Sequence, residues 1–228
     1  MEVTLSPADA TDLPILAEIN RLVYMREAIS MIAFKNWPAE TNMFNFFQSR
    51  IKQLMETPNA HIFKATSKTG EIVGFISCTL AHEKDGVEAG VEAGVKAPAP
   101  DPNGPTSKAM GQMEDIFNME FIKGWAPVME SMKDLINGMK HYYLSTFVVT
   151  PEYQGKGIGS KLLRRCLEIA DKDGLPTWLS ALPGSHNLYL RFGFVDVEHK
   201  DVDLNKWDHH RFRGFGIYRQ HSMMRQPK

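Results

Sequence analysis

Cysteine is scarce in this sequence, with two residues, Cys78 and Cys166, among 228. Both lie in apolar stretches and read as small core residues, not as a disulfide or a metal site. Eight histidines occur, but no helical H-x-x-x-H and no C-x-x-C. No metal is therefore expected. His209 and His210, between Trp and Arg, read as surface. An excess of charge of one sign is missing too. Lys and Arg number 26 against 27 Asp and Glu, for a net charge of −1. Such a chain offers no polyanion-binding surface, and nucleic acid is not expected as a partner. No run reaches the ~18 apolar residues of a membrane span, and no N-terminal run has signal-peptide character. Together with free cysteines this points to a reducing intracellular compartment, cytoplasmic with the nucleus left open. What remains is ordinary: 43% hydrophobic and 23% charged residues. A chain of this length can bury a sizeable core, and one domain over residues 1–228 is expected.

The most informative stretch runs from Leu144 to Ala170. Leu144 to Val149 is apolar and β-branched, as in a buried strand. Thr150-Pro151 ends it, since proline cannot continue a ladder. Gly155, Gly157 and Gly159 follow. From Ser160 the apolar residues Leu162, Leu163, Cys166, Leu167, Ile169 and Ala170 fall at helical spacing. A strand, a glycine loop and a helix in this order aim free N–H groups and the positive end of a helix dipole at one point. That point suits a phosphate or pyrophosphate.

Three phosphate-loop patterns compete here. A Walker A loop ends in Gly-Lys-Ser/Thr, whereas this one ends Gly159-Ser160-Lys161, the reverse order. A Rossmann fingerprint, counted from Gly155, needs glycine where Ser160 stands, and no βαβ partner precedes the loop. The third pattern, Q/R-x-x-G-x-G/A, is met by Gln154, Gly157 and Gly159. It is the pyrophosphate loop of the GNAT superfamily of acetyl-CoA-dependent N-acetyltransferases. Val149 to Gly159 resembles that family's central motif nearly letter for letter. Leu188-Tyr189-Leu190-Arg191-Phe192-Gly193-Phe194 resembles its L-Y-x-x-x-G-F signature. Ala181 to Tyr189 is similar to the A-S-P-x-G-x-x-L-Y of a fungal-type subgroup, with Leu182 in place of Ser and Ser185 in place of Gly.

The rest of the chain reads as alternating elements. Val3–Leu5 is a short strand, and Asp12 is the N-cap of a helix with Pro14 in its first turn. Ala28–Phe34 is apolar all round. A further helix runs from Thr41 to Met55, and Ala60–Ser67 and Ile72–Leu80 form a hairpin. Residues 83–110 hold a four-residue near-repeat and then Pro98, Pro100, Pro102 and Pro105. They read as a flexible insertion, too poor in large apolar residues to offset ordering entropy. Extra helices cover about 111–139, divided at Gly124 and Pro127, and their Met and aromatic residues suggest a wall of an acceptor pocket. Later strands are Thr177–Ala181, Phe194–Glu198 and Gly214–Met223, with a short helix at Ser185–Arg191. The order gives an α/β class with a mixed sheet and helices on both faces. The resemblance implies the GNAT fold: a mostly antiparallel, twisted sheet of six to seven strands, splayed at the cofactor.

The resemblance also implies site residues. The backbones of Phe147, Val148 and Val149 would pair with the pantetheine amides of acetyl-CoA. Gln154, Gly155, Lys156, Gly157, Ile158, Gly159 and Ser160 would hold the pyrophosphate. Tyr189 would protonate the departing thiolate, a fitting pairing because phenol and thiol pKa values are close. The family's usual position for a general base falls at Tyr143 and Ser145, which are neither carboxylate nor imidazole. His141, His82 and Glu83 lie near strand ends as substitutes. The implied activity is direct acetyl transfer to a primary amine, with a small molecule as the expected acceptor. A peptide N-terminus or lysine acceptor stays open. So do a non-catalytic CoA-binding sensor and the choice between monomer and homodimer.

Overall fold

The computed structural model describes residues 1–81, 113–136, 138–208 and 214–228. The expected insertion at 83–110, and with it His82, Glu83, His209 and His210, lies outside the described residues. The strands are β1 (Val3–Pro7), β2 (Ala60–Ser67), β3 (Ile72–Ala81), β4 (His141–Val149), β5 (Thr177–Ala181), β6 (Val195–Asp203) and β7 (Ile217–Arg225). They form one seven-stranded sheet in the order β1-β2-β3-β4-β5-β7-β6. Every neighbouring pair is antiparallel except β4 with β5, which is parallel. The mostly antiparallel mixed sheet is the one expected.

Two layers of helix cover the sheet. On one face lie α1 (Leu13–Tyr24), α2 (Ala28–Ala33), α3 (Glu40–Glu56) and α4 (Met119–Asp134). On the other lie α5 (Ile158–Lys172) and α6 (His186–Arg191). Strand β3 shows how the pleat divides the core. Phe75 packs with the α1–α4 layer, and its neighbour Ile76 packs with α5. Both side chains are fully buried, which explains why this central strand is mostly apolar, with Ser77 and Thr79 its polar exceptions. Cys78 and Cys166 are free and buried in the α5 layer, as read from the sequence. Burial, with a hydrogen bond from Cys78 second, pushes the Cys166 thiol well up, so it is inert.

Several boundaries differ from the sequence reading, each for a local reason. Asp12 is the N-cap residue of α1, as read, but its side chain makes no cap hydrogen bond to that helix. Asp9 instead caps a 3-10 turn at Ala10–Asp12, accepting from Thr11 N at 2.9 Å, while Asp9 N donates to Asp12 at 2.8 Å. The Asp12 carboxylate is buried, and Lys64 Nζ donates to it at 2.6 and 2.7 Å. A buried charge takes an ionic partner in preference to a cap. Helix α4 runs unbroken through Pro127. Phe121, Trp125, Met129 and Met132 line its buried stripe, and burying four large side chains outweighs the ~3 kcal/mol cost of an interior proline. A Cβ at Gly124 would stand 2.7 Å from the Trp207 ring, so this glycine serves packing and does not break the helix. Strand β6 runs on to Asp203, and β7 starts only at Ile217, because Gly214 and Gly216 both hold positive φ.

Arg225, at the end of β7, is almost fully buried and reaches across to α5. It donates to both Asp171 oxygens at 2.7 and 2.9 Å and to Phe192 O at 3.1 Å. That hydrogen bonding holds the Asp171 carboxyl below the usual range. A depressed carboxylate stabilises the fold above its unfolded pKa, and this share is lost as pH falls through the folded value. Removing the carboxylate strands a buried guanidinium. Asp171→Ala is expected to lower unfolding free energy by about 3 kcal/mol, the low end for a buried pair because Asp171 keeps some exposure. Urea denaturation at neutral pH and at pH 3 checks this, and the wild-type advantage should shrink in acid.

Candidate functional site

Strands β4 and β5 pair at two positions, Tyr142 with Thr177 and Tyr143 with Trp178. Beyond them the two strands part, while β4 stays paired with β3 as far as Val149 opposite Gly74. From Leu144 to Val149 the edge of β4 that faces β5 has no strand partner. Its N–H and C=O groups are therefore open to another hydrogen-bonding chain. The register explains the parting. Ser77 pairs with Thr146 and Cys78 with Leu144, so Ser145 is an extra residue, a bulge, in β4. A bulge bends its strand and sharpens the twist. The bulged Ser145 hydroxyl is tied to the Ser77 hydroxyl at 2.8 Å.

The glycine loop sits at the wide end of this split. Thr150 closes β4 by donating from its N and Oγ1 to Val73 O, at 2.9 and 3.0 Å. The Gln154 side chain donates to Val149 O at 2.9 Å. Its amide thus braces the loop against the strand. Gly155 and Gly157 hold φ of +73° and +81°, and a Cβ on either would meet nothing within 4 Å. Both sit beside open space. Gly157 opens α5, and no side chain caps that helix, so its first N–H groups face the same space. Gly159 differs, because its Cβ would stand 3.0 Å from the Phe147 ring. It lets α5 lie against β4. Lys156 Nζ rests 4.9 Å over the Tyr153 ring. Ile158, Val148 and Val149 bury their side chains in the core, so only their backbones are available to a ligand.

Tyr189, on α6, is buried and directed toward β4. Its ring centroid lies 6.1 Å from that of Phe147 and 5.6 Å from that of Phe194. The two sequence motifs therefore meet across the split. The aromatic and Met residues of α4 do not line this space. Phe117, Phe121, Trp125 and Met129 are core, packed with Val148 on the opposite face. A groove of about 540 Å³ runs along α5 and α6, lined by Ser160, Arg164, Arg191, Phe192 and Lys228 among others.

Of the expected substitutes for a base, His82 and Glu83 lie outside the described residues, and His141 is not brought to the split. His141 starts β4, where that strand is still paired, and its Nδ1 is 2.7 Å from Met139 O. Burial holds it below the ordinary imidazole range. Tyr143 is buried against Trp178 at 5.1 Å between centroids. The sequence reading missed Glu27, which precedes α2 in the turn after α1. Burial raises its carboxyl above the usual glutamate range. The turn adjoins the loop, since Arg26 pairs with Glu152 at 3.7 Å. A shifted carboxyl beside a cleft is a candidate acid or base. The available signal was a lone carboxylate between two apolar helical segments.

Comparison with known proteins agrees with this geometry. Residues 123–194 match the sequence model described as Acetyltransferase (GNAT) family. Among solved structures, a histone acetyltransferase HPA2 and related acetyltransferase from Corynebacterium glutamicum is 18% identical, with TM-score 0.63, covering 100% of this chain and 98% of that one. The ribosomal-protein-S18-alanine N-acetyltransferase from Escherichia coli is 14% identical, with TM-score 0.53, covering 99% and 94%. Arabidopsis thaliana NAA60, solved with a bisubstrate analogue, is 13% identical, with TM-score 0.54, covering 100% and 99%. No described helix is long and apolar enough to cross a membrane.

The raised Glu27 carboxyl carries a linked stability effect. Its ionised form is disfavoured by folding, so stability falls as pH rises from the ordinary glutamate value through the raised one. Glu27→Gln is expected to remove that fall. Denaturation midpoints between pH 3 and 8, together with carboxyl NMR titration of the wild type, check both the sign and the residue.

Proposed function

We propose that this chain, a member of the GNAT acetyltransferase superfamily, moves an acetyl group from acetyl-CoA to a primary amine of a small molecule. Transfer is direct, within a ternary complex, and residues 1–228 act as one domain. The observation that carries the reading is convergence. The unpaired edge of β4 leads into the glycine loop and its open side, and the buried Tyr189 packs 6.1 Å from Phe147 on the same strand.

In this reading each part has a separate task. The β4 edge from Phe147 to Val149 supplies backbone donors and acceptors for the pantetheine amides. The N–H groups from Gly155 to Ser160, with the α5 dipole behind them, hold the pyrophosphate, and Lys156 adds a cation. Arg164, Arg191 and Lys228 along the adjoining groove suit the remaining phosphate. Holding the thioester beside the amine replaces an encounter in solution with an oriented contact. The amine nitrogen attacks the carbonyl carbon, and a β4 backbone N–H stabilises the oxyanion that forms. As the C–S bond breaks, the Tyr189 hydroxyl gives its proton to the sulfur. With a phenol pKa near ~10 and a thiol near ~8.5, that transfer is nearly balanced. Glu27, on the α1–α2 side, accepts the proton that the amine sheds, directly or through water. Burial raises its carboxyl above the usual glutamate range, the direction that makes a carboxylate a stronger base.

Calorimetric titration with acetyl-CoA, followed by thiol release over a panel of small amines, peptide N-termini and lysine peptides, tests the proposal. Turnover on small amines supports it. Turnover confined to peptides would move the acceptor to that class, and binding without turnover on any acceptor would mean a CoA-binding sensor. Tyr189→Phe is expected to slow thiol release tenfold or more while acetyl-CoA affinity holds, about the scale of one general acid. Gly157→Glu should abolish binding, since it puts bulk and negative charge on the pyrophosphate and forces a side chain into positive φ.

A further inference from the structure

Where α6 begins, three side chains meet that acetyl transfer does not use. They come from three elements: His186 opens α6, Asp196 lies near the start of β6, and His221 lies in β7. His186 Nε2 is 2.9 Å from both Asp196 oxygens, and His221 Nδ1 is 3.0 Å from Oδ1. The two imidazoles stack with centroids 3.9 Å apart, tilted by 25°. All three candidate donor atoms lie within 4.8 Å of one another. The imidazoles are largely covered, at 18% and 14% side-chain exposure, whereas Asp196 is open at 41%.

We propose that His186, Asp196 and His221 form a binding site for one divalent transition metal ion of the zinc class. Imidazole nitrogen with one carboxylate is a donor set for zinc, nickel or copper rather than for magnesium or calcium. Metal–ligand bonds of about 2.0–2.2 Å in a tetrahedron set neighbouring donors about 3.3 Å apart. The carboxylate already stands 2.9 and 3.0 Å from the two nitrogens and all three donors lie within 4.8 Å, so closing on one ion takes a turn of the stacked imidazoles toward it. Each imidazole coordinates through the nitrogen that now faces the carboxylate and carries its proton on the other. Burial first, and the adjacent His186 second, hold His221 below the ordinary imidazole range, and the neutral ring is the form that ligates. Water takes the fourth position from the exposed Asp196 side.

The sequence gives no spacing signal for such a site. Its ligands are 10 and 25 residues apart along the chain and are brought together only by the β6–β7 pairing under α6. The ion would staple the first turn of α6 to the β6–β7 hairpin. Tyr189 lies one turn further along the same helix, so the staple would also steady the catalytic hydroxyl.

The test uses the full chain after chelator treatment, titrated with CoCl2 and then ZnCl2. One equivalent of Co2+ giving the visible absorption of a four-coordinate ion, displaced by Zn2+, is expected. ZnCl2 should also raise Tm. His186→Gln and His221→Gln should each weaken binding by more than about 100-fold, the upper end for losing a supporting contact, and abolish the Tm response. His186 begins an outer helix, so its variant serves if His221→Gln does not fold. Absence of a stoichiometric cobalt spectrum, or binding that His186→Gln and Asp196→Asn both leave unchanged, overturns the proposal. None of these readouts depends on acetyl transfer.

Discussion

The structure depends on a pairing that stops early. Strands β4 and β5 share two residue pairs and then separate, leaving six residues of β4 with an unpaired edge. A backbone edge buried in protein and left without partners costs about 1–3 kcal/mol per group. A fold that keeps such an edge needs either solvent or a ligand to complete it. The bulge at Ser145, tied to Ser77, holds the strand away from its neighbour, so the opening is built into the register. The glycine loop then follows at the wide end of the opening. The parallel strands, the loop and α5 are one device. The strands leave a backbone edge unpaired, and the helix start adds free N–H groups beside it.

The other helices hold this device in shape. Gly159 brings α5 against Phe147, and Phe147 in turn meets Tyr189 on α6. A single aromatic ring on β4 therefore sets the spacing between the loop and Tyr189. The opposite layer stays closed. Its aromatic and methionine residues fill the core beneath Val148.

Much of this was legible in the sequence, and the reasons are local. The loop lies within eleven residues from Val149, and its glycines are demanded by conformation and close approach at named positions. The strand order was readable because apolar runs and turn residues alternate cleanly. The failures share a cause, which is that the deciding partner is remote in sequence. Asp12 holds the N-cap position read for it, but its side chain turns to Lys64, 52 residues away. Pro127 was read as a break because the packing that keeps α4 straight comes from other elements. Glu27 has no motif, and only the packing of two helices around it shifts its carboxyl. His186, Asp196 and His221 show the same limit, since only a finished sheet brings them into contact.

The strand order has a consequence for how the molecule is made. β7 is synthesised after β6, yet it lies between β5 and β6. Until β7 arrives, β6 has no partner at all, and β5 holds the rest of the sheet by two residue pairs. The first four strands pair β1 with β2, β2 with β3 and β3 with β4, and can zip as each is completed. The other half must wait and then form together, as β7 slides into a gap flanked by two waiting strands. Folding is thereby divided into an early, sequential half and a late, concerted one. The boundary between the halves is the β4–β5 split, and the last seams of the sheet to take shape are the two that β7 makes with β5 and β6.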